Sequence, residues 1–228
     1  MKREIVITGD GSSTIHLPEW DEHYHSKHGA IQEAYHVFIK HGLHHFCDSK
    51  TFKNHYNISI LEIGFGTGLN AFITFLEAEK LQLHIDYFGV EGYPVLMEEI
   101  SQLNYSKELK SQIYQTTFNK IHEFSWDKMH ELTPNFQLTK QHKMFHEIND
   151  SDTHDIIYFD AFGARVQPEL WTEAIFKIMY KALKINGVLV TYAAKGSVRR
   201  AMQSVGFMVE KLPGPPGKRE MLRGTKQS

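Results

Sequence analysis

Three glycines at alternate positions, Gly64, Gly66 and Gly68, separate an apolar run from an apolar helical pattern. Glycine takes up positive φ at little cost and lets the backbone come close to a ligand. Before them, Ile58, Ile60, Leu61 and Ile63 are the β-branched and aliphatic residues of a buried strand. After them, Leu69, Phe72, Ile73 and Leu76 recur at helical spacing. Strand, glycine turn and helix make the first half of a nucleotide-binding α/β unit. The turn is not the dinucleotide form G-x-G-x-x-G, because Leu69 stands where its last glycine would be.

Open α/β sheets bind ligands at the carboxyl ends of their strands. Two acids stand at such ends. Glu91 closes the run Ile85–Glu91, and Asp160 closes Asp155–Asp160. The spacing of Glu91 from the glycine turn suits an acid that accepts hydrogen bonds from ribose hydroxyls; the plainer reading is a solvated strand-end acid. Asp160 reads either as a proton acceptor beside the reacting group or as a capping aspartate. Glu62, just before the first glycine, either anchors the turn or receives a cationic group of the ligand. Asn70 opens the helix as a cap or as a ligand contact. His23, His25 and His28, and separately His41, His44 and His45, are grouped like metal ligands. No cysteine pair or acid spacing accompanies them, so no metal is expected. Cys47 has no activating neighbour in sequence and reads as a small buried residue.

The elements that must hold these groups follow from pattern. Residues 3–8 and 14–17 read as a short hairpin around the turn Gly9-Asp10-Gly11-Ser12, and about 32–43 as a helix closed by Gly42. Strands are expected at 58–63, 85–91, 137–144, 155–160 and 187–192, with two closing strands at 207–212 and about 220–224. Helices alternate with them at 69–79, after Pro94, at 170–183 and at 198–205. Residues 101–136 read as largely helical, with Pro134 as the stop. Alternation of this kind predicts a mostly parallel sheet with right-handed crossovers. The expected division is an N-terminal hairpin and helix extension over 1–50 and an α/β domain over 51–228.

Composition narrows the class. The chain has 228 residues, 41% hydrophobic and 23% charged, which suits a folded domain rather than a disordered segment. No apolar run approaches the ~20 residues that cross a bilayer, and no signal peptide opens the chain. A single cysteine excludes an internal disulfide and fits a reducing cytoplasm. The formal charge of −2 is not that of a general nucleic-acid coat. A local basic face remains available from Lys195, Arg199, Arg200, Lys211, Lys218, Arg219 and Arg223 around the rigid Pro213-Gly214-Pro215-Pro216-Gly217 segment. The plainer reading is a solvated surface run.

The glycine turn, read as E-x-G-x-G-x-G from Glu62 to Gly68, resembles the loop of S-adenosylmethionine-dependent methyltransferases. More selective segments resemble the methyltransferase domain of the MnmC tRNA-modification family. They are Asp10-Gly11-Ser12, Glu22 to Ser26, Gly29 to Ala34, Glu91 with Pro94, Phe159 to Phe162, and Gln167-Pro168-Glu169-Leu170-Trp171. Thr191-Tyr192, Val198-Arg199-Arg200, Gly206-Phe207 and Gly217-Lys218-Arg219-Glu220-Met221 complete the set, so the resemblance runs nearly end to end.

The resemblance implies a Rossmann-like, class I α/β fold with a mostly parallel seven-stranded sheet, helices on both faces and the N-terminal extension. It implies N-methylation, from S-adenosyl-L-methionine, of the 5-aminomethyl group of (2-thio)uridine at the tRNA wobble position. An acceptor amine on a small molecule or a protein is the alternative. Glu62, Gly64, Phe65, Gly66, Gly68, Asn70, Glu91 and Gly92 would line the cofactor, with Tyr24, Gln32 and Glu33 closing over its methionine side. Asp160 would face the reacting amine. Phe162, Lys195, Arg199, Arg200, Lys218 and Arg219 would meet the tRNA anticodon loop. The family holds the adenine amino group with an acid after the third strand. Here Thr139-Lys140-Gln141-His142-Lys143 has none, which leaves Gln141 or a backbone carbonyl. Larger family members carry an FAD-dependent oxidoreductase domain. This chain ends after the methyltransferase motifs, so a standalone enzyme is expected, served by a separate aminomethyl-forming enzyme.

Overall fold

The computed structural model describes residues 2–49 and 56–227. The expected boundary at 50/51 lies outside the described residues. A small antiparallel sheet comes first: β1 (Glu4–Ile7), β2 (Ser13–Leu17) and β3 (Glu22–His23), in that order. Asp10 shapes its first turn. Oδ1 accepts hydrogen bonds from the Thr8 hydroxyl and the Ser12 amide, while Oδ2 accepts the Gln32 amide of the following helix. That helix runs through α1 (Ala30–Ala34), a π-helical stretch Tyr35–His44 and α2 (His45–Asp48). Gly42 does not end it. Gly42 instead faces the main sheet, where a Cβ would sit 3.1 Å from both the Tyr158 ring and Val190.

The main sheet contains β4 (Asn57–Ile63), β5 (His84–Glu91), β6 (Met129–Thr133), β7 (Phe136–His142), β8 (His154–Phe159), β9 (Leu183–Thr191), β10 (Phe207–Pro213) and β11 (Glu220–Lys226). Their spatial order is β10-β11-β9-β8-β4-β5-β7-β6. The five strands β9, β8, β4, β5 and β7 are parallel, and β11 enters antiparallel between β10 and β9. The sheet therefore has eight strands rather than the expected seven. The addition is β6, antiparallel to β7 at the edge, inside a segment that reads as helix from pattern. Its outward face is polar or exposed, which erases the strand alternation. The helix expected after Pro94 is the single turn α4 (Met97–Ile100), and the rest of the 101–136 segment breaks into α5 (Tyr105–Glu108) and α6 (Gln115–Glu123). Strand β9 also begins before the turn Ile185-Asn186-Gly187, which it absorbs as an irregularity against β8.

Both faces of the sheet are covered, as parallel strands require. Strand alternation sends Ile58, Ile60, Tyr87 and Tyr158 to one face, against Phe38 of the first helix and Phe72 of α3 (Leu69–Leu81). Leu61, Ile63, Ile157 and Phe159 go to the other. There they meet Phe176 and Met179 of α7 (Glu173–Ala182) and Val198 and Met202 of α8 (Gly196–Ser204). The central carboxyl ends, carrying Glu91 and Asp160, are thus held by strands locked on both sides. No described helix is long and apolar enough to cross a membrane.

Candidate active site

A cavity of about 1370 Å³ opens over the carboxyl ends of β4, β5 and β8, roofed by the N-terminal extension. It exceeds the ~300–1,000 Å³ of a typical single-ligand pocket. The loop residues Gly64 to Thr67 form its floor. The amides of Gly64 and Phe65 both donate to the Val90 carbonyl at 3.0 Å, which pins the loop to β5. Gly64 has φ +92°, and a Cβ there would lie 2.8 Å from the Asp160 carbonyl oxygen. Gly66, φ +49°, faces the Tyr24 ring. Gly64→Ala therefore combines a strained φ with a backbone clash. We expect it to cost ~1–3 kcal/mol of stability and to weaken cofactor binding, measured by denaturant melts and calorimetry.

Four polar side chains form one chain behind the loop. Asn70 Nδ2 donates to Glu62 Oε1 at 2.8 Å and to Asp160 Oδ2 at 2.9 Å. Glu62 Oε2 accepts from the Tyr87 hydroxyl at 2.9 Å. Glu62 is buried and does not line the cavity; it braces Asn70 and Tyr87 from behind the loop. Burial holds its carboxyl well above the usual carboxylate range. Asp160 lines the cavity. Burial first, then the negative charge of Glu33, pushes its carboxyl up to about 7, against the pull of Asn70 and Lys218. A carboxyl titrating there can exchange protons at neutral pH.

Glu91 also lines the cavity. Its Oε2 accepts the Gly66 amide at 3.0 Å and its Oε1 the Tyr93 amide at 2.9 Å. Each oxygen keeps a further lone pair for a ligand hydroxyl. Gly92 lies beside it on the wall, close to Met144 Sδ. Gln141 does not reach the cavity, although its Oε1 is buried without a partner. At that end the wall is Tyr93, Met144 and Phe145.

The roof brings in residues far apart in sequence. Tyr24 and Phe162 line the cavity and meet edge to face, with ring centroids 5.0 Å apart. Glu33 and Lys218 line it as an ion pair. Gln32 does not; it faces a shallow groove beside Tyr35 and Pro216. Gly68 lies outside the cavity at the start of α3, packed against the His122 ring. Lys195, Arg200 and Arg219 are exposed outside the cavity, and Arg199 is half-buried there. Arg223 is not part of a surface patch: it is buried and paired with Glu210. Lys211 pairs with Glu220. The basic face is correspondingly smaller than the sequence suggests.

The sequence gives no role to Thr67, Tyr105 or Tyr192. The Tyr105 hydroxyl donates to Thr67 Oγ1 at 2.9 Å, fixing the glycine loop. His25, expected only as one of a histidine group, lies against Thr14 and Thr67. Burial pushes it down to about 4, so it is neutral. The Tyr192 hydroxyl donates to the Ala161 carbonyl at 2.8 Å, next to Asp160. A polar residue between two loop glycines was the one available signal, at Thr67.

A family model described as S-adenosyl-L-methionine-dependent methyltransferase matches residues 102–227. The chain belongs to that family. The methyltransferase is 27% identical over 233 residues to the tRNA 5-methylaminomethyl-2-thiouridine biosynthesis bifunctional protein MnmC of Cupriavidus metallidurans, covering 96% of this chain and 33% of that protein. It is 30% identical over 220 residues to the MnmC protein of Leptospira borgpetersenii, covering 90% of this chain and 32% of that protein. It thus spans about a third of the length of these curated relatives. Among solved structures, MNMC2 from Aquifex aeolicus superposes with a TM-score of 0.74 at 22% identity, over 100% of this chain and 71% of that one. Spermidine synthase from Thermotoga maritima gives 0.55 at 13%, over 95% and 69%. Both show the fold: a mostly parallel α/β sheet with helices, as expected from the sequence. The resemblance to the MnmC methyltransferase domain holds.

S-adenosyl-L-methionine is the family's cofactor, and the cavity residues suit it. Asn70 Oδ1 is buried without a partner on the wall, an open acceptor for an ammonium group. Glu91 offers acceptors for ribose hydroxyls, and at Gly66 a Cβ would crowd the Tyr24 ring across the cavity at 3.1 Å.

Proposed function

We propose that this methyltransferase N-methylates the 5-aminomethyl group of (2-thio)uridine at the tRNA wobble position. The observation that carries the reading is Asp160: a cavity-facing carboxyl, fixed by Asn70 beside the cofactor loop, which burial pushes up to about 7. When bound, the cofactor supplies an electrophilic methyl group. The chain's own residues do the rest. Asp160 takes the proton of the incoming ammonium, so that a neutral nitrogen faces the methyl carbon. Asn70 holds the carboxyl in one orientation through Oδ2. Glu91 and the backbone wall of the glycine loop hold the donor in place, which turns an encounter into an aligned contact. Tyr24, Trp20 and Phe162 exclude water above the reacting atoms.

Size supports a nucleoside acceptor. The cavity admits the cofactor and a splayed base together, and a loop base leaves its stack at low cost. The relatives' name, a tRNA 5-methylaminomethyl-2-thiouridine biosynthesis protein, supports the same substrate. The deciding experiment is mass spectrometry of wobble nucleosides from cells lacking the protein. Accumulated unmethylated aminomethyl nucleoside is the expected result. An unchanged nucleoside profile, with methyl transfer to free amines or protein in vitro, would replace this reading with the small-molecule or protein alternative.

The exposed cations are expected to serve affinity. R200E combined with R219E should raise the KM for tRNA about tenfold at low salt, less at high salt, with the cofactor Kd unchanged. Steady-state kinetics across a salt series checks this.

A further inference from the structure

One ion pair is placed where a purely structural link has no need to be. Lys218, in the loop between β10 and β11, donates from Nζ to Oε2 of Glu33, on α1. The pair joins residues 185 apart in sequence and lies on the cavity wall rather than the outer surface. Glu33 is only 6% exposed. Its other oxygen accepts the Ser26 amide at 3.0 Å, so the carboxylate is held in one orientation. Lys218 Nζ lies 3.8 Å from the centroid of the Tyr192 ring. Tyr192 in turn is bound through its hydroxyl to Ala161, the residue after Asp160. Ion, counter-ion and aromatic face thus surround the corner where Asp160 sits.

We propose that Glu33 and Lys218 are positioning residues for the transfer step: joined as an ion pair on the cavity wall, they set the electrostatic surroundings in which Asp160 works. The inference rests on the reading of Asp160 given above. The other groups facing Asp160 are Glu62 from β4, Tyr87 from β5, Asn70 from α3 and Tyr192 just after β9. Asn70 ties Asp160 to the Glu62 carboxyl, and the two tyrosines are neutral near pH 7 because burial raises both. Glu33 and Lys218 therefore supply the charges that act in opposite directions. Glu33 raises the proton affinity of Asp160, and Lys218 lowers it. The seating of the 213–220 loop, which carries Lys218, is then linked to the charge state of the reacting carboxyl.

The test is a titration of the Asp160 carboxyl by ¹³C NMR on the full chain without cofactor or tRNA, assigned by its loss in D160N. E33Q keeps an acceptor for Ser26 and removes the negative charge. K218M keeps the length and the apolar contact with Tyr192. E33Q should lower the Asp160 midpoint and K218M raise it, each by about one pH unit; K218R should restore the wild-type value, and the double variant E33Q/K218M should return near it. Midpoints that stay fixed, or move the same way in both single variants, overturn the proposal. If E33Q does not fold, K218M against K218R decides it alone. The titration involves no methyl transfer. Opposed shifts in an enzyme that fails to modify tRNA would refute the substrate reading and leave the pair's role intact.

Discussion

Asp160→Asn is expected to lower kcat about a hundredfold, or ~2.7 kcal/mol of barrier, with cofactor binding changed less than threefold. Asparagine matches the shape of the aspartate and preserves a partner for Asn70, but it cannot take a proton. The comparison therefore isolates proton acceptance from packing. Single-turnover methyl transfer to undermodified tRNA measures the first quantity, and calorimetry measures the second. A fully active variant would remove Asp160 from the mechanism.

The same substitution has a pH signature. The carboxyl of Asp160 sits at about 7 in the folded chain, far above the ~3.9 of an unfolded aspartate. The reactive form is the carboxylate, so the wild-type rate should rise with pH through the titration and then level. A positive charge seated beside the carboxylate moves that limb below 7, so cofactor-saturated enzyme should show it at lower pH than the free chain. The variant should lack the limb. Stability runs the opposite way. A raised folded pKa means that the folded state holds the proton more tightly, so the stabilisation is complete below about pH 4 and is lost as pH rises through 7. Asp160→Asn should therefore melt above wild type at pH 8, with the difference vanishing at pH 4. Activity and stability would then separate at one atom.

Much of this site was legible because its parts lie on regular elements. A buried strand announces itself by Ile58 to Ile63, a tight turn by alternate glycines, and the carboxyl ends of β5 and β8 by Glu91 and Asp160. Each is a local signal within a few residues. Other features depend on tertiary contact and leave little local trace. Strand β6 lies at a sheet edge, where Met129 is 59% exposed, so no apolar alternation marks Met129–Thr133. Gly42 lies inside the first helix, where a Cβ would crowd the sheet, so it marks a close approach rather than a helix end, a reason visible only once Tyr158 and Val190 are in place. Lys218 reads as one more surface cation until its partner, Glu33, folds over from the other end of the chain. Arg223 reads the same way, yet its strand carries it inward to Glu210. Basic residues are the hardest to place from sequence because a long stem can direct the same charge outward or inward.

Glu91→Ala should show the opposite kinetic pattern to Asp160→Asn. Glu91 does two jobs with one carboxylate. It ties the Gly66 amide and the Tyr93 amide to the end of β5, and its remaining lone pairs face the cavity. Alanine removes the acceptors for ribose and also frees the glycine loop, so the effect falls on binding. Charge-assisted hydrogen bonds are worth ~1.5–3 kcal/mol each, and losing the equivalent of one strong bond raises the cofactor Kd about a hundredfold. At saturating cofactor, kcat should stay within about threefold, since the proton acceptor is untouched. Glu91→Gln keeps one oxygen acceptor and should fall between. Calorimetry for Kd and a cofactor titration of the rate check both variants. An unchanged Kd in Glu91→Ala would mean that the acid serves the loop alone, and ribose recognition would have to be sought elsewhere on the cavity wall. If instead kcat collapsed while Kd held, the two carboxylates would have exchanged the roles assigned to them, and the reacting nitrogen would belong at the end of β5 rather than β8.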